Sequence, residues 1–381
     1  MIYLDHNATT PLCAAARAAL EPYLARHFGN PSSVHAAGRE ARAAIDNTRD
    51  ALASLLRFRP NELIFTSGGT EANNLALLGP ARSLAPQGKH LISNRAEHHA
   101  VLNTLEHLAA REGFEVTWLD VSSEGLIDPA ALAAAIRPDT TLVSIMTANN
   151  ETGVIQPMAE ISVICRGRGV LLHSDMVQSF GKTSGVIPSE APRPRGAVEG
   201  SRGAAVKPGH ERFPDTRRDP STPLRSAQDD RDLLSLVDAA SFAAHKFYGP
   251  KGAGFVYLRA GLPIEPIQFG GSHEGERRPG TENVAAIAGM AAAAEFVSQN
   301  PPNETALRDR LWSGTREIFP AAQRNGGGAP QLANTLNVSF PGHSSETLLM
   351  ALDLEGVCAS SGSACMVGSV VASHVLRAMG F

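Results

Sequence analysis

The chain has 381 residues, 43% hydrophobic and 19% charged, enough apolar material for one large core or two moderate ones. With 34 basic residues against 38 acidic ones the net charge is −4, and no long basic run stands out, which argues against nucleic acid as a main partner. No stretch approaches the ~18 consecutive apolar residues of a membrane helix, and MIYLDHNATT lacks the pattern of a signal peptide, so a soluble, cytoplasmic protein with no membrane partner is expected.

Apolar residues at helical spacing predict an amphipathic helix from Ala36 to Leu56, followed by a short strand, ELIFT. A glycine-rich turn, SGGTEANN, then runs into a helical pattern. Next come the strand KHLIS, a helix from His99 to Arg111, the strand FEVTWL, and a helix with Asp128 as N-cap and Pro129 in its first turn. The strand TLVSIMT, a helix from about Pro157 and the strand GVLLHSD follow. Between Thr183 and Asp232 the texture changes to proline, arginine and acids with one aromatic residue, Phe213. Too little apolar surface stands there to offset ordering entropy, which predicts a flexible insertion over 184–232. Regular structure returns at DAASFAA and AGFVYL, then helices near Thr281 to Gln299 and Thr305 to Ile318, a strand at TLNVSF and a helix from Ser345 to Leu354. Short apolar strands alternating with helices predict an α/β fold with a mainly parallel sheet, whose ligands bind at the C-terminal strand ends.

Several residues sit where such a site would lie. The turn Ser67 to Asn74 opens a helix whose free N–H groups suit an anion, although it matches neither dinucleotide nor P-loop spacing. Asp175 ends an apolar strand, and Gln178 would face the same way one turn later. His245 and Lys246 precede a Gly-Pro turn, and a lysine beside a cationic neighbour and out of water suits Schiff-base chemistry. A phosphate turn, a strand-end carboxylate and a strand-end lysine together fit pyridoxal phosphate, which needs a phosphate cup, a partner for its pyridinium nitrogen and an amine for its aldehyde. Four cysteines make no disulfide framework and no zinc-type pair, while Cys365, in SSGSAC, lies in a small, polar stretch that suits a reactive thiol. His98 and His99 lack a second cluster that would make a metal site, so no metal is expected.

These segments, taken in order as YLDHNATTP, FGNPSSVH, FTSGGTEANN, AEHHAV, NNETG, HSDMVQ, AAHKFYGPKG, RRPGTENV and SSGSAC, resemble the cysteine desulfurases of the nitrogen-fixation and iron-sulfur-cluster type, within the class V aminotransferases. The resemblance covers nearly everything except the insertion. It implies a pyridoxal phosphate-dependent transferase of fold type I, with a seven-stranded, mainly parallel sheet in a large domain (15–292). Residues 1–14 and 293–381 would form a smaller α/β domain, short at its C-terminus relative to the family. By resemblance Lys246 takes up the cofactor aldehyde, Asp175 pairs with the pyridine nitrogen, Gln178 and Asn150 lie near the ring hydroxyl, and His98 stacks on the ring. Gly69, Thr70 and His245 would hold the phosphate. Thr281 resembles the residue that reaches the phosphate across a homodimer interface, and Asn30 looks like a substrate-side contact.

The implied reaction converts L-cysteine to L-alanine and leaves the sulfur on Cys365 as a persulfide, for delivery to an iron-sulfur scaffold or a sulfur carrier. A protonated His98 is implied as manager of the thiol proton, and Cys365 as at most a transient cluster ligand. Three departures from the family stand out. SHVLRAMG is followed by no Ser-x-Arg-x-Ser-x-Gly motif, so no residue here inherits the family's carboxylate-binding arginine, and weaker substrate recognition is expected. The insertion lengthens the spacing between Gln178 and Lys246, and Ala243 stands where many relatives carry a phosphate-binding serine, a loss of about 1 kcal/mol. Competing expectations are a selenocysteine lyase and a catalytically silent member that binds partners.

Overall fold

The computed structural model describes residues 1–183, 233–301, 303–361 and 373–381. The predicted insertion 184–232 and Cys365 lie outside the described residues. Strand β1 (Ile2–Tyr3) is followed by helices α1 (Ala14–Ala25) and α2 (Ala36–Leu56), strand β2 (Leu63–Thr66) and helix α3 (Gly69–Leu84). Then come β3 (His90–Asn94), α4 (His99–Glu112), β4 (Glu115–Leu119), α5 (Pro129–Ala135), β5 (Thr140–Ser144), α6 (Met158–Arg168) and β6 (Leu171–Asp175). After the undescribed stretch the chain continues through α7 (Leu233–Leu236), β7 (Ala239–Ala243), β8 (Gly254–Leu258) and α8 (Val284–Gln299). The C-terminal elements are α9 (Thr305–Ile318), β9 (Gln323–Arg324), β10 (Val338–Ser339), α10 (Ser345–Leu354), β11 (Val357–Cys358) and α11 (His374–Ala378).

A seven-stranded sheet of order β2-β8-β7-β6-β5-β3-β4 forms the centre. β8 runs antiparallel to both β2 and β7, and the other neighbouring strands pair in parallel. Consecutive strand residues enter different cores. Leu91, Leu142 and Leu171 pack with Leu77 of α3 and Val101, Leu105 and Leu108 of α4. Ile92, Val143 and Leu172 join Ile45, Leu52, Phe242, Phe255 and Met290 on the other side. That division follows from the two-residue side-chain period and explains why these strands read as unbroken apolar runs. The cross-strand pair Phe242 and Phe255 stacks with centroids 4.3 Å apart.

Helix α8 begins at Val284, three residues later than the sequence pattern suggests, because the Asn283 side chain caps it by accepting from Ala286 N at 3.2 Å. α8 packs on α1 and α2 so closely that a Cβ on Gly289 would meet Ala16 O at 3.1 Å. β1 and β11 form a separate parallel pair, and β9 and β10 an antiparallel one. Among the described residues, no helix is long and apolar enough to cross a membrane.

Candidate active site

The C-terminal ends of the central strands open into a cleft lined by Gly69, Thr70, His98, Asn150, Asp175, Gln178, His245 and Lys246. The cleft spans about 2720 Å³, far above the roughly 300–1,000 Å³ of a small-molecule site. It is large because it runs on past the sheet between Leu307 and Leu311 of α9 and Leu348, Leu349 and Leu352 of α10.

Asp175 is the last residue of β6, where the strand delivers its side chain to the cleft. Its carboxylate accepts from Asn73 Nδ2 at 2.7 Å and from Val177 N at 2.9 Å, so both oxygens are fixed in orientation. Lys246 ends a single 3-10 turn directly after β7, the strand next to β6. The Gly-Pro turn behind it is tight: a Cβ on Gly249 would lie 2.8 Å from the Ala244 Cβ. Lys246 Nζ donates to Asn7 O at 2.5 Å and to Ala8 O at 2.7 Å, so the N-terminal segment forms one wall of the site. Gln178 Nε2 donates to the same Asn7 carbonyl at 2.8 Å, while its Oε1 accepts from Lys182 Nζ at 2.7 Å. Only an oxygen can face the ammonium, which fixes which way the amide points.

His98 is the N-cap of α4, its Nδ1 accepting from Ala100 N at 3.1 Å. In the neutral ring the proton therefore sits on Nε2, facing away from the helix. Burial holds its pKa below the ordinary histidine value, with Lys246, His99 and His374 adding to the effect against Asp175. His245 is drawn down to about 4 by burial, helped by Lys246, Lys251 and Lys182, and its Nδ1 lies 3.2 Å from Thr9 Oγ1. Burial and the neighbouring Lys246 draw Lys182 down to about 7. Glu97, fully buried, is pushed up to about 8 by burial. Its Oε1 accepts from Asn94 Nδ2 at 2.8 Å and Met146 N at 2.7 Å, which ties the turn before His98 to the end of β5.

Two predicted residues stand apart from the cleft in this chain. Thr281 is exposed and borders a small separate hollow with Arg278, Asn283 and Phe65 to Ser67. Asn30 is exposed in the loop between α1 and α2, its Oδ1 accepting from Ser32 N at 2.9 Å. The two loops touch through Ser32 Oγ and His273 Nε2, 3.1 Å apart. Conversely, sequence reasoning passed over Asn7, Asn73, Glu97 and Lys182. Asn73 stands one helical turn beyond Gly69, and Lys182 one turn beyond Gln178, a spacing that could have pointed to them.

The residues present fit pyridoxal phosphate. No side chain caps the N-terminus of α3, a Cβ on Gly68 would point into open space, and Asn150 Oδ1 is buried without a hydrogen-bond partner. An anion at the helix end and a hydroxyl near Asn150 would satisfy both features. Among the described residues, no group of histidine, cysteine and carboxylate side chains is placed to hold a metal ion.

This sheet order, with the cleft at its parallel strand ends, is that of the fold type I enzymes that use pyridoxal phosphate. The chain belongs to the class-V aminotransferase family, whose profile matches residues 2–185 and 234–379, and within it to the cysteine desulfurases of NifS/IscS type. The match breaks off across the predicted insertion. A relative named cysteine desulfurase IscS, from Dictyoglomus turgidum, is 41% identical over 99% of this chain and 85% of its own length. Among solved structures, a NifS-like protein superposes with a TM-score of 0.81 at 32% identity, covering 100% of this chain and 89% of its own. A structure described as SspA in complex with cysteine gives 0.78 at 29% identity, covering 100% of this chain and 95% of its own.

Proposed function

We propose that this chain is a pyridoxal phosphate-dependent cysteine desulfurase that converts L-cysteine to L-alanine and passes the sulfur to Cys365. The observation that carries the reading is the convergence of Lys246 and Asp175, from adjacent strand ends, on one cleft beside the uncapped start of α3. Lys246 would hold the cofactor aldehyde, Asp175 the ring nitrogen, Asn150 and Gln178 the ring hydroxyl, and Gly69, Thr70 and His245 the phosphate, with His98 against the ring. When bound, the cofactor supplies an electron sink for the carbon skeleton of the substrate.

Asp175, its carboxylate held by hydrogen bonds from Asn73 and Val177, would pair with the ring nitrogen. The Lys246 amine would also move the proton at the substrate Cα. His98, which lines the cleft, is placed to take the substrate thiol proton or return it. The Cys365 thiolate attacks the substrate sulfur; an S–S bond forms, the Cβ–S bond breaks, and the carbon takes up a proton and leaves as alanine.

The protein acts in the cytoplasm as a homodimer and hands its sulfur to a scaffold or carrier protein. Two observations support the dimer: Thr281 and Asn30 lie outside their own cleft, and Phe28 and Phe269 on the same loops are 80% and 89% exposed. Residues 15–292 serve as the cofactor-binding body, and 1–14 with 293–381 as the smaller one. The test is the visible spectrum of the purified protein near ~400 nm, before and after L-cysteine, with alanine and sulfide assayed in the same tube. A band that changes while alanine accumulates is expected. A band that stays constant without alanine would overturn the reading.

A further inference from the structure

Beside the cleft, titratable groups from three parts of the chain close on one another. Glu97 and His99 flank His98, Glu151 follows Asn150, and His374 opens α11. His374 Nε2 donates to the Glu97 carbonyl at 2.9 Å. A carbonyl only accepts, so the imidazole proton is on Nε2 and Nδ1 presents a lone pair. That Nδ1 is buried without a hydrogen bond and lies 3.9 Å from Glu151 Oε1. Ser373 Oγ donates to the other oxygen, Glu151 Oε2, and accepts from Leu376 N at 3.1 Å, which starts α11. The His374 ring packs on His99 with centroids 4.3 Å apart.

We infer that Ser373 and His374 are positioning residues that clip the loop carrying His98 to the loop carrying Asn150, through a Glu151 and His374 pair that holds one proton between its two facing atoms. With no proton there, a carboxylate oxygen faces a nitrogen lone pair away from water, and the two repel. With two, an imidazolium stands against His99 and near Arg377 with no carboxylate to balance it. One proton, on either atom, turns the contact attractive. Burial raises Glu151 and lowers His374, which favours the neutral pair. The groups that face this pair are Glu97, His98, His99 and, beyond His99, Glu106 on one side, with Arg377 on the other. Each clipped residue is the chain neighbour of a site residue, so the clip acts on the site through the backbone of Glu97 and Glu151.

This inference rests on the desulfurase reading, so its test carries a readout independent of turnover. His374→Phe keeps a ring against His99 and removes both nitrogens. In the full chain loaded with pyridoxal phosphate, kcat for alanine formation should fall about tenfold, the equivalent of one lost interaction made only in the transition state, with KM for L-cysteine within about twofold. In the cofactor-free protein the imidazole nitrogen NMR signals of His98 should broaden or split as its ring loses a single setting. Glu151→Gln can donate to Nδ1 and accept from Ser373, so it should keep kcat within about twofold, whereas Glu151→Ala should match His374→Phe. Ser373→Ala, the milder change, should lose about threefold, and it decides the matter if His374→Phe does not fold. Unchanged kcat and His98 signals in His374→Phe, or equal behaviour of Gln and Ala at 151, would overturn the inference. If the unmodified protein makes no alanine, the desulfurase reading fails instead, and the His98 signals alone judge the clip.

Discussion

The central sheet and the C-terminal elements treat their apolar residues in opposite ways. β3, β5, β6, β7 and β8 are buried along their whole length. α9 and α10 hold no buried residue, and Ile318 and Leu354 are each 88% exposed. The cleft lies between the two regions. Its sheet side offers side chains fixed by packing and by paired hydrogen bonds, as at Asp175, while its far side offers apolar surface that the described residues leave open. The difference shows where fixed geometry resides: among the described residues, the cleft side chains held by paired hydrogen bonds stand on the sheet wall.

The sharpest way to break that comparison is Lys246→Ala, which should lower alanine formation by about a thousandfold or more while circular dichroism stays unchanged. If the variant unfolds instead, the lysine is part of the frame rather than of the chemistry. Phe242→Ala, in the aromatic stack beneath the site, should cost about 3–5 kcal/mol in denaturant titration. Glu97→Gln sharpens the contrast through pH. The folded chain keeps the Glu97 proton up to about 8, whereas a free glutamate releases it near 4.5. The unfolded state therefore binds fewer protons between those values, and stability from this group falls as pH rises through that window. Glu97→Gln abolishes that slope, so its advantage over the unmodified chain should grow from pH 4.5 to 8 and then level off, as read from midpoints across pH. The smallest effect belongs to the open wall, where Leu354→Ala should shift stability by less than about 0.5 kcal/mol.

Much of this arrangement was legible in the sequence because the sheet strands are short apolar runs and the helices between them carry a clear period. The direction of β8 was not read, although the signal was there. About ten residues separate β7 from β8, too few for the crossover that a parallel pair requires. α1 escaped because alanines dominate it and Pro22 interrupts it, leaving no distinct apolar stripe. Lys246, Asp175 and Gln178 could be placed because strand ends face the site in any such sheet. Asn7 could not, since its part is played by a backbone carbonyl that any residue type would supply. Thr281 and Asn30 carry motif signals, yet neither lines the cleft of its own chain. Ser373 and His374 lie far along the chain from the loops they join, and no spacing rule links residues 151 and 374.

The place of β2 at one edge of the sheet has a consequence for how the protein is made. Among the described residues its only strand neighbour is β8, which the ribosome supplies about 190 residues later. At roughly 5–20 residues per second, β2 spends on the order of 10–40 s without its permanent partner. It is a four-residue strand, Leu63 to Thr66, that ends fully buried, so in the nascent chain it is a sticky edge exposed to other polypeptides. The sheet can grow from β3, β4, β5 and β6 in turn, but it is sealed last on the side synthesised first, and every residue inserted before β7 lengthens the wait.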